Sequence, residues 1–126
     1  MIQRTINVLV IEDEPSVADA LKMILEDQGY GVVVAITGRE GITYARRHKF
    51  DVTLTDLRLP DITGIDVLNA ICKEKLGGLM ILTTAYATSE VELEAKACGA
   101  MIVLKKPFLL TDLIEKIDFL LAAQCD

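Results

Sequence analysis

The chain has 126 residues, of which 52% are hydrophobic, and its 19 acidic residues outnumber its 13 basic ones. This length and composition predict one folded domain with its own core, whereas the net charge of −6 disfavours direct binding to nucleic acid or to an anionic membrane. Three widely spaced cysteines and one histidine exclude a zinc site of the usual spacing, and we expect the thiols, including Cys125, to be reduced.

Short apolar runs rich in β-branched residues alternate with segments of helical spacing along the whole chain. The apolar runs predict five buried strands, at 6–11, 32–36, 51–55, 79–83 and 100–104. The segments between and after them predict five helices, over 15–28, 37–49, 67–75, 89–98 and 113–121. Thr37 with Glu40, and Ser89 with Glu92, have the spacing of capping boxes that begin the second and fourth helices.

The strict alternation of strands and helices predicts the fold class. It indicates an α/β doubly wound (βα)5 sandwich, in which a five-stranded parallel sheet carries helices on both faces. In such folds ligands bind at the carboxyl ends of the strands, near the point where the strand order reverses. A functional site is therefore expected at that edge of the sheet.

Acidic, hydroxyl and basic side chains follow the predicted strands at that edge. Glu12 and Asp13 follow the first strand, Asp56 the third, Thr84 the fourth and Lys106 the fifth. Carboxylates this close repel one another, and a divalent cation relieves the conflict; oxygen ligands alone favour Mg²⁺, with Mn²⁺ as a substitute. The first two acids could instead serve only the next helix N-terminus, but that explanation does not cover Asp56.

An aspartate beside Mg²⁺ at a strand end is a candidate phosphoryl acceptor, because a carboxylate can attack phosphorus and form an acyl phosphate. Such a transfer needs alignment and charge neutralisation more than acid–base catalysis. A lysine ammonium and a threonine hydroxyl are suited to bind the phosphoryl oxygens. Asp56, Lys106 and Thr84 supply these three groups.

These residues, in register with the five βα units, resemble the receiver domain of bacterial two-component response regulators, which has the CheY-like, or flavodoxin-like, fold. The resemblance covers about residues 7–121 and implies the strand order 2-1-3-4-5. Its markers are the acidic pair Glu12–Asp13, the loop from Asp56 through Pro60 to Gly64, the pair Thr84–Ala85 and the segment Lys106–Pro107–Phe108.

The resemblance assigns the metal ligands. Asp13, Asp56 and the backbone carbonyl of Arg58 would hold Mg²⁺, and Glu12 would assist through a water molecule. Asp56 would be the phosphoryl acceptor.

The resemblance also assigns the phosphoryl contacts and the partners. Thr84 and Lys106 would bind the phosphoryl oxygens, and the peptide bond from Lys106 to Pro107 would be cis. A sensor histidine kinase or a phosphotransfer protein would supply the phosphoryl group. The domain would be a signalling protein rather than an enzyme, although it takes part in its own phosphorylation and slow autodephosphorylation.

The organisation of the protein is also an expectation from the resemblance. A single receiver domain over 1–126, with its core at about 6–122, would signal through the face formed by helix 4, strand 5 and helix 5. That face could form a homodimer or contact an output domain outside this chain that regulates transcription. Because no signal-peptide pattern is present, we expect a cytoplasmic location.

One position departs from the most common receiver pattern, and two variable positions carry bulky residues. Val103 stands where receivers often carry Tyr or Phe, so a switch by rotation of an aromatic ring is not expected. Bulky Arg58 and Tyr86 occupy two variable positions that influence dephosphorylation. Either they restrict the attacking water and lengthen the phosphoryl lifetime, or they are surface residues without a kinetic role. Val103 also leaves open a degenerate receiver that binds partners without phosphorylation.

Two other classes of protein place ligands at the same edge of a similar sheet. A phosphate-ester hydrolase with an aspartyl nucleophile needs a second Asp two residues after the first, where this chain has Arg58. A flavodoxin needs a loop rich in glycine and hydroxyl groups after the first strand, where Glu12 and Asp13 would repel the cofactor phosphate. The sequence therefore disfavours both.

Overall fold

The computed structural model describes residues 4–124, and strands and helices alternate throughout that part of the chain. The strands are β1 (Asn7–Ile11), β2 (Gly31–Ala35), β3 (Val52–Asp56), β4 (Leu79–Thr84) and β5 (Ala100–Lys105). The helices are α1 (Pro15–Asp27), α2 (Gly38–Arg47), α3 (Gly64–Lys73), α4 (Ser89–Ala97) and α5 (Leu110–Gln124). Each predicted element is present, and its ends are shifted by at most a few residues.

The strands form one parallel sheet in the order β2-β1-β3-β4-β5, which confirms the predicted doubly wound fold. The crossover helices cover both faces of this sheet. The chain moves outward from β1 in one direction to β2 and in the other to β3, so the strand order reverses at β1. The carboxyl ends of β1 and β3 therefore flank the crevice in which folds of this type bind ligands.

The core has two halves because successive side chains of a strand point to opposite faces of the sheet. Val8 and Val10 of β1 pack on the side of α1 and α5, together with the fully buried Leu113 of α5. Leu9 and Ile11 pack on the side of α2, α3 and α4. With both faces covered, β1 is apolar at every position from Val8 to Ile11.

Hydrogen bonds account for two of the predicted ends that are wrong by one residue. β2 ends at Ala35, and Ile36 lies between β2 and α2, where its backbone N–H donates to the Glu40 carboxylate at 2.8 Å. Thr88, not Ser89, caps α4, because the Thr88 hydroxyl accepts a hydrogen bond from the N–H of Val91 at 3.2 Å. The spacing rule selected Ser89 because Glu92 follows it by three residues, whereas the residue at that distance from Thr88 is Val91.

The thiols of Cys72 and Cys98 are both free, as predicted, whereas Cys125 lies outside the described residues. Between residues 4 and 124, no helix combines the length and the apolar character needed to cross a membrane.

Candidate functional site

Three carboxylates meet at the carboxyl ends of β1 and β3. Glu12 and Asp13 directly follow β1, and Asp56 is the last residue of β3. Each contributes one oxygen to a cluster in which these oxygens lie within 4.8 Å of one another. The two strands are hydrogen-bonded neighbours, so the apolar pattern that buries them also forces the acids together. Glu12 is 2% exposed, whereas Asp13 is exposed, so solvent reaches the cluster at Asp13.

The ammonium of Lys106, next to the edge strand β5, supplies a positive charge to the site. It follows β5, and its Nζ lies 2.7 Å from a Glu12 oxygen and 3.3 Å from an Asp56 oxygen. The neighbouring Lys105 is exposed, so the structure distinguishes the two lysines as the sequence predicted. The peptide bond between Lys106 and Pro107 is cis, the geometry that the resemblance implied.

Burial and neighbouring charges shift the pKa values of two groups at the site. Burial raises the pKa of Glu12 above its usual value, and the hydrogen bonds from Lys106 and from the N–H of Glu14 offset only part of that rise. Burial alone would lower the pKa of Lys106, but the carboxylates of Glu12 and Asp56 outweigh it and raise that pKa. Lys106 is therefore charged at neutral pH, and a single ammonium faces three carboxylates.

The donor set fits a hard divalent cation. Both carboxylate oxygens of Glu12 already accept hydrogen bonds, one from Lys106 and one from the N–H of Glu14. Asp13 and Asp56 remain as the carboxylates most accessible to an ion, and Glu12 is placed to act indirectly. Carboxylate and carbonyl oxygens without nitrogen or sulfur ligands suit Mg²⁺, which retains several water molecules.

A small cavity of about 110 Å³ lies beside the acidic cluster. It is lined by Asp56, Arg58, Thr84, Ala85, Tyr86 and Lys106. The structure also separates the two adjacent threonines: Thr84 lines this cavity, whereas the Thr83 hydroxyl lies 3.5 Å from the Thr55 carbonyl inside the sheet. Thr84 accepts a hydrogen bond from the N–H of Tyr86 at 2.9 Å, and its own hydroxyl hydrogen can serve another acceptor.

The loop between β3 and α3 contributes Arg58 to the lining of this cavity. The N–H of Gly64 donates to the Leu57 carbonyl at 2.7 Å, and a side chain at Gly64 would collide with the backbone carbonyl of Asp56. The loop ends in a capping box in which Thr63 and Asp66 exchange hydrogen bonds, both at 3.1 Å. This capping box was not predicted, although Thr63 and Asp66 have the spacing that would have revealed it.

Arg58 and Tyr86 meet above the cavity. The guanidinium carbon of Arg58 lies 4.0 Å from the centroid of the Tyr86 ring, which is cation–π geometry. Tyr86 is 51% exposed, so the pair stands between the cavity and solvent. Val103 is half-buried and packs against the core on the side of α2, α3 and α4.

The fold and the acidic site define a CheY-like receiver. The chain matches the family model of the response regulator receiver domain over residues 8–118, and it belongs to this family, whose members act in two-component signalling. Receiver domains bind Mg²⁺ at an acidic pocket, which agrees with the position of the carboxylate cluster.

Solved and curated relatives support this assignment. A CheY-like receiver domain from Methanospirillum hungatei superimposes with a TM-score of 0.90 at 33% identity, covering 96% of this chain and 97% of that one. The transcriptional regulatory protein KdpE of Mycobacterium tuberculosis is 36% identical over 87% of this chain and 48% of its own length. The cell cycle transcriptional regulator CtrA of Caulobacter vibrioides is 30% identical, with the same coverage. The chain spans about half the length of the curated relatives it matches.

Proposed function

We propose that this chain is a phospho-accepting receiver domain, with Asp56 as the residue that receives the phosphoryl group from a sensor histidine kinase or a phosphotransfer protein. One observation carries the proposal. Asp56 shares its site with two further carboxylates and the Lys106 ammonium, and it opens into a cavity that also contains the Thr84 hydroxyl.

The chemistry needs little beyond alignment and charge. A carboxylate oxygen of Asp56 attacks phosphorus, the bond between phosphorus and the donor nitrogen breaks, and the donor imidazole keeps that electron pair. Asp13, Asp56 and the Arg58 carbonyl would hold Mg²⁺, or Mn²⁺ as a substitute, and the ion would neutralise charge on the transferring group when bound. The residues themselves bind and orient that group.

Thr84 and Lys106 stabilise the product in this proposal. Thr84 donates its hydroxyl hydrogen to one phosphoryl oxygen, while Lys106 exchanges its contact with Glu12 for a contact with another. Because Lys106 lies within 3.3 Å of Asp56 before phosphorylation, a small movement of its side chain suffices. The phosphorylated state then shifts a pre-existing equilibrium of the domain rather than creating a new structure.

Arg58 and Tyr86 would set the lifetime of the phosphoryl group. Their stacked side chains stand over the cavity that holds Asp56 and Thr84, so they obstruct the approach of an attacking water molecule. Replacing both with alanine should accelerate loss of the phosphoryl group. An unchanged rate of dephosphorylation in the double variant would remove this role from the two residues.

The output would lie outside this chain. KdpE and CtrA are named as transcriptional regulators and are about twice as long as the matched segment, which supports an output domain that regulates transcription. The face of α4, β5 and α5 exposes Leu93, Met101 and Phe119, and this apolar surface supports a contact with that domain or with a second copy.

The test is incubation with acetyl phosphate and Mg²⁺, followed by intact-mass measurement. We expect the wild type to gain one phosphoryl group, Asp56→Asn to gain none, and Lys106→Ala to be labelled much more slowly. Lys105→Ala is the matched control, because it removes an adjacent but exposed ammonium and should behave like the wild type. A wild type that gains no mass would instead support a degenerate receiver that binds partners without phosphorylation.

A further inference from the structure

The first turn of α2 takes hydrogen-bond acceptors from a distant part of the chain. The first N–H groups of a helix have no partner within the helix. The hydroxyl of Thr37 accepts from the N–H of Glu40 at 3.1 Å. The N–H groups of Gly38 and Arg39 instead donate to the two carboxylate oxygens of Asp61, at 2.8 and 2.9 Å. One carboxylate therefore serves two helix donors that precede it by 23 and 22 residues.

This contact is electrostatically favourable as well as geometrically matched. A carboxylate at a helix N-terminus interacts with the positive end of the helix dipole. Desolvation opposes ionisation of Asp61, but the N–H donors of Arg39 and Gly38 prevail and lower its pKa below the usual value. Asp61 is thus charged at neutral pH and holds α2 through charge-assisted hydrogen bonds.

Apolar packing supports the same contact. Gly38 has no side chain, and a Cβ placed there would lie 2.5 Å from Ile62 and 2.9 Å from Val67. The space that Gly38 leaves is filled by Ile62, the residue after Asp61. The first turn of α2 and the loop between β3 and α3 are therefore joined by two hydrogen bonds and by direct packing.

The loop held in this way contains Arg58, the proposed carbonyl ligand of Mg²⁺. Arg58 pairs with Thr63 across the loop, and the N–H of Gly64 closes its base on Leu57. Asp61 lies at the outer end of the loop, opposite that base. A loop fixed at its base and at its outer end has little freedom to move the Arg58 carbonyl.

We propose that Asp61 is a positioning residue, which ties the β3–α3 loop to the first turn of α2 and thereby sets the Arg58 carbonyl for binding a divalent cation. This inference rests on the proposed Mg²⁺ site. The contact itself exists without the ion, so it can be tested separately in the metal-free protein.

The metal test compares Mg²⁺ affinity among three variants by titration calorimetry. Outer residues that orient metal ligands typically change affinity by about 10–100-fold, and we expect Asp61→Ala to weaken binding by about tenfold. Asp61→Asn retains one acceptor oxygen and should fall between Asp61→Ala and the wild type. Thr37→Ala is the matched control, because it removes a cap from the same helix end without releasing the loop, and it should bind Mg²⁺ as the wild type does.

Hydrogen exchange in the metal-free protein supplies the second readout. Asp61→Ala should accelerate exchange of the Gly38 and Arg39 amides and of the loop from 57 to 63, whereas Thr37→Ala should leave that loop protected. Equal weakening of Mg²⁺ binding by Asp61→Ala and Thr37→Ala, or wild-type affinity in Asp61→Ala, would overturn the positioning role.

The two readouts also separate this inference from the proposed function. A wild type that binds no Mg²⁺ would overturn the metal site, and the positioning role with it, even if exchange in Asp61→Ala shows that the tie exists. Unchanged loop exchange in Asp61→Ala would overturn the tie alone, while wild-type Mg²⁺ binding would leave the proposed function standing.

Discussion

Replacing Lys106 with methionine should destabilise the metal-free protein, and the loss should depend on pH. Glu12 is 2% exposed and its nearest cation is the Lys106 ammonium at 2.7 Å. Removing one partner of a buried ion pair costs about 3–5 kcal/mol because the other charge stays buried. The Lys106 side chain is 24% exposed, so water already screens part of the ion pair. We therefore expect Lys106→Met to lower the free energy of unfolding by about 2–3 kcal/mol.

The sign of the pH dependence follows from the raised pKa of Glu12. A raised pKa means that the folded state favours the protonated carboxyl, so the associated stability is present below the ordinary value of 4.5 and is lost as the pH rises through the raised value. Without Lys106 the pKa of Glu12 rises further. The loss of unfolding free energy in Lys106→Met should therefore be smaller near pH 4.5 than at neutral pH.

Urea unfolding followed by circular dichroism, in the presence of a chelator, measures this effect. With a slope of about 1–3 kcal/mol per M, the predicted loss lowers the urea midpoint by about 1 M at neutral pH. Glu12→Gln combined with Lys106→Met should regain most of the loss, and Lys105→Met should change little. An equal deficit at both pH values, or a double variant no more stable than Lys106→Met, would refute the buried-charge reasoning.

Three further changes test the fold and the loop by thermal unfolding. Thr88→Ala should lower the free energy of unfolding by about 1 kcal/mol because it removes the N-cap of α4. Ser89→Ala should change that free energy by less than about 0.5 kcal/mol, and equal losses in the two variants would contradict the assignment of the cap. Leu113→Ala, at a fully buried position of α5, should cost about 2–5 kcal/mol, and a smaller loss would place that side chain outside the core. Gly64→Ala should lower the melting temperature and slow phosphorylation, because its Cβ meets the Asp56 carbonyl; a variant that matches the wild type in both would contradict that contact.

The sequence could predict the fold and the composition of the site because both depend on regular geometry. Apolar runs and helical spacing determine which strands are buried, and parallel strands deliver their carboxyl ends to one edge. That rule alone brings Asp13 and Asp56 together. Thr84 is favoured over Thr83 because the small Ala85 follows it, and Lys106 over Lys105 because Pro107 follows it.

Contacts made by loops and long side chains could not be predicted in the same way. Asp61 reaches Gly38 through the particular path of the β3–α3 loop, and no periodicity relates two residues 23 positions apart. The stack of Arg58 on Tyr86 depends on side-chain rotamers. The pairing of Lys106 with Glu12 is likewise a choice between neighbouring carboxylates that only the three-dimensional distances resolve.

Localisation of the phosphoryl group tests the central claim most directly. After reaction with acetyl phosphate and Mg²⁺, the protein is digested and the peptide that contains Asp56 is sequenced by tandem mass spectrometry. We predict that the added phosphoryl mass lies on Asp56 and that omission of Mg²⁺ abolishes it. A phosphoryl group on another residue, or undiminished labelling of Asp56→Asn, would contradict the assignment of Asp56 as the acceptor.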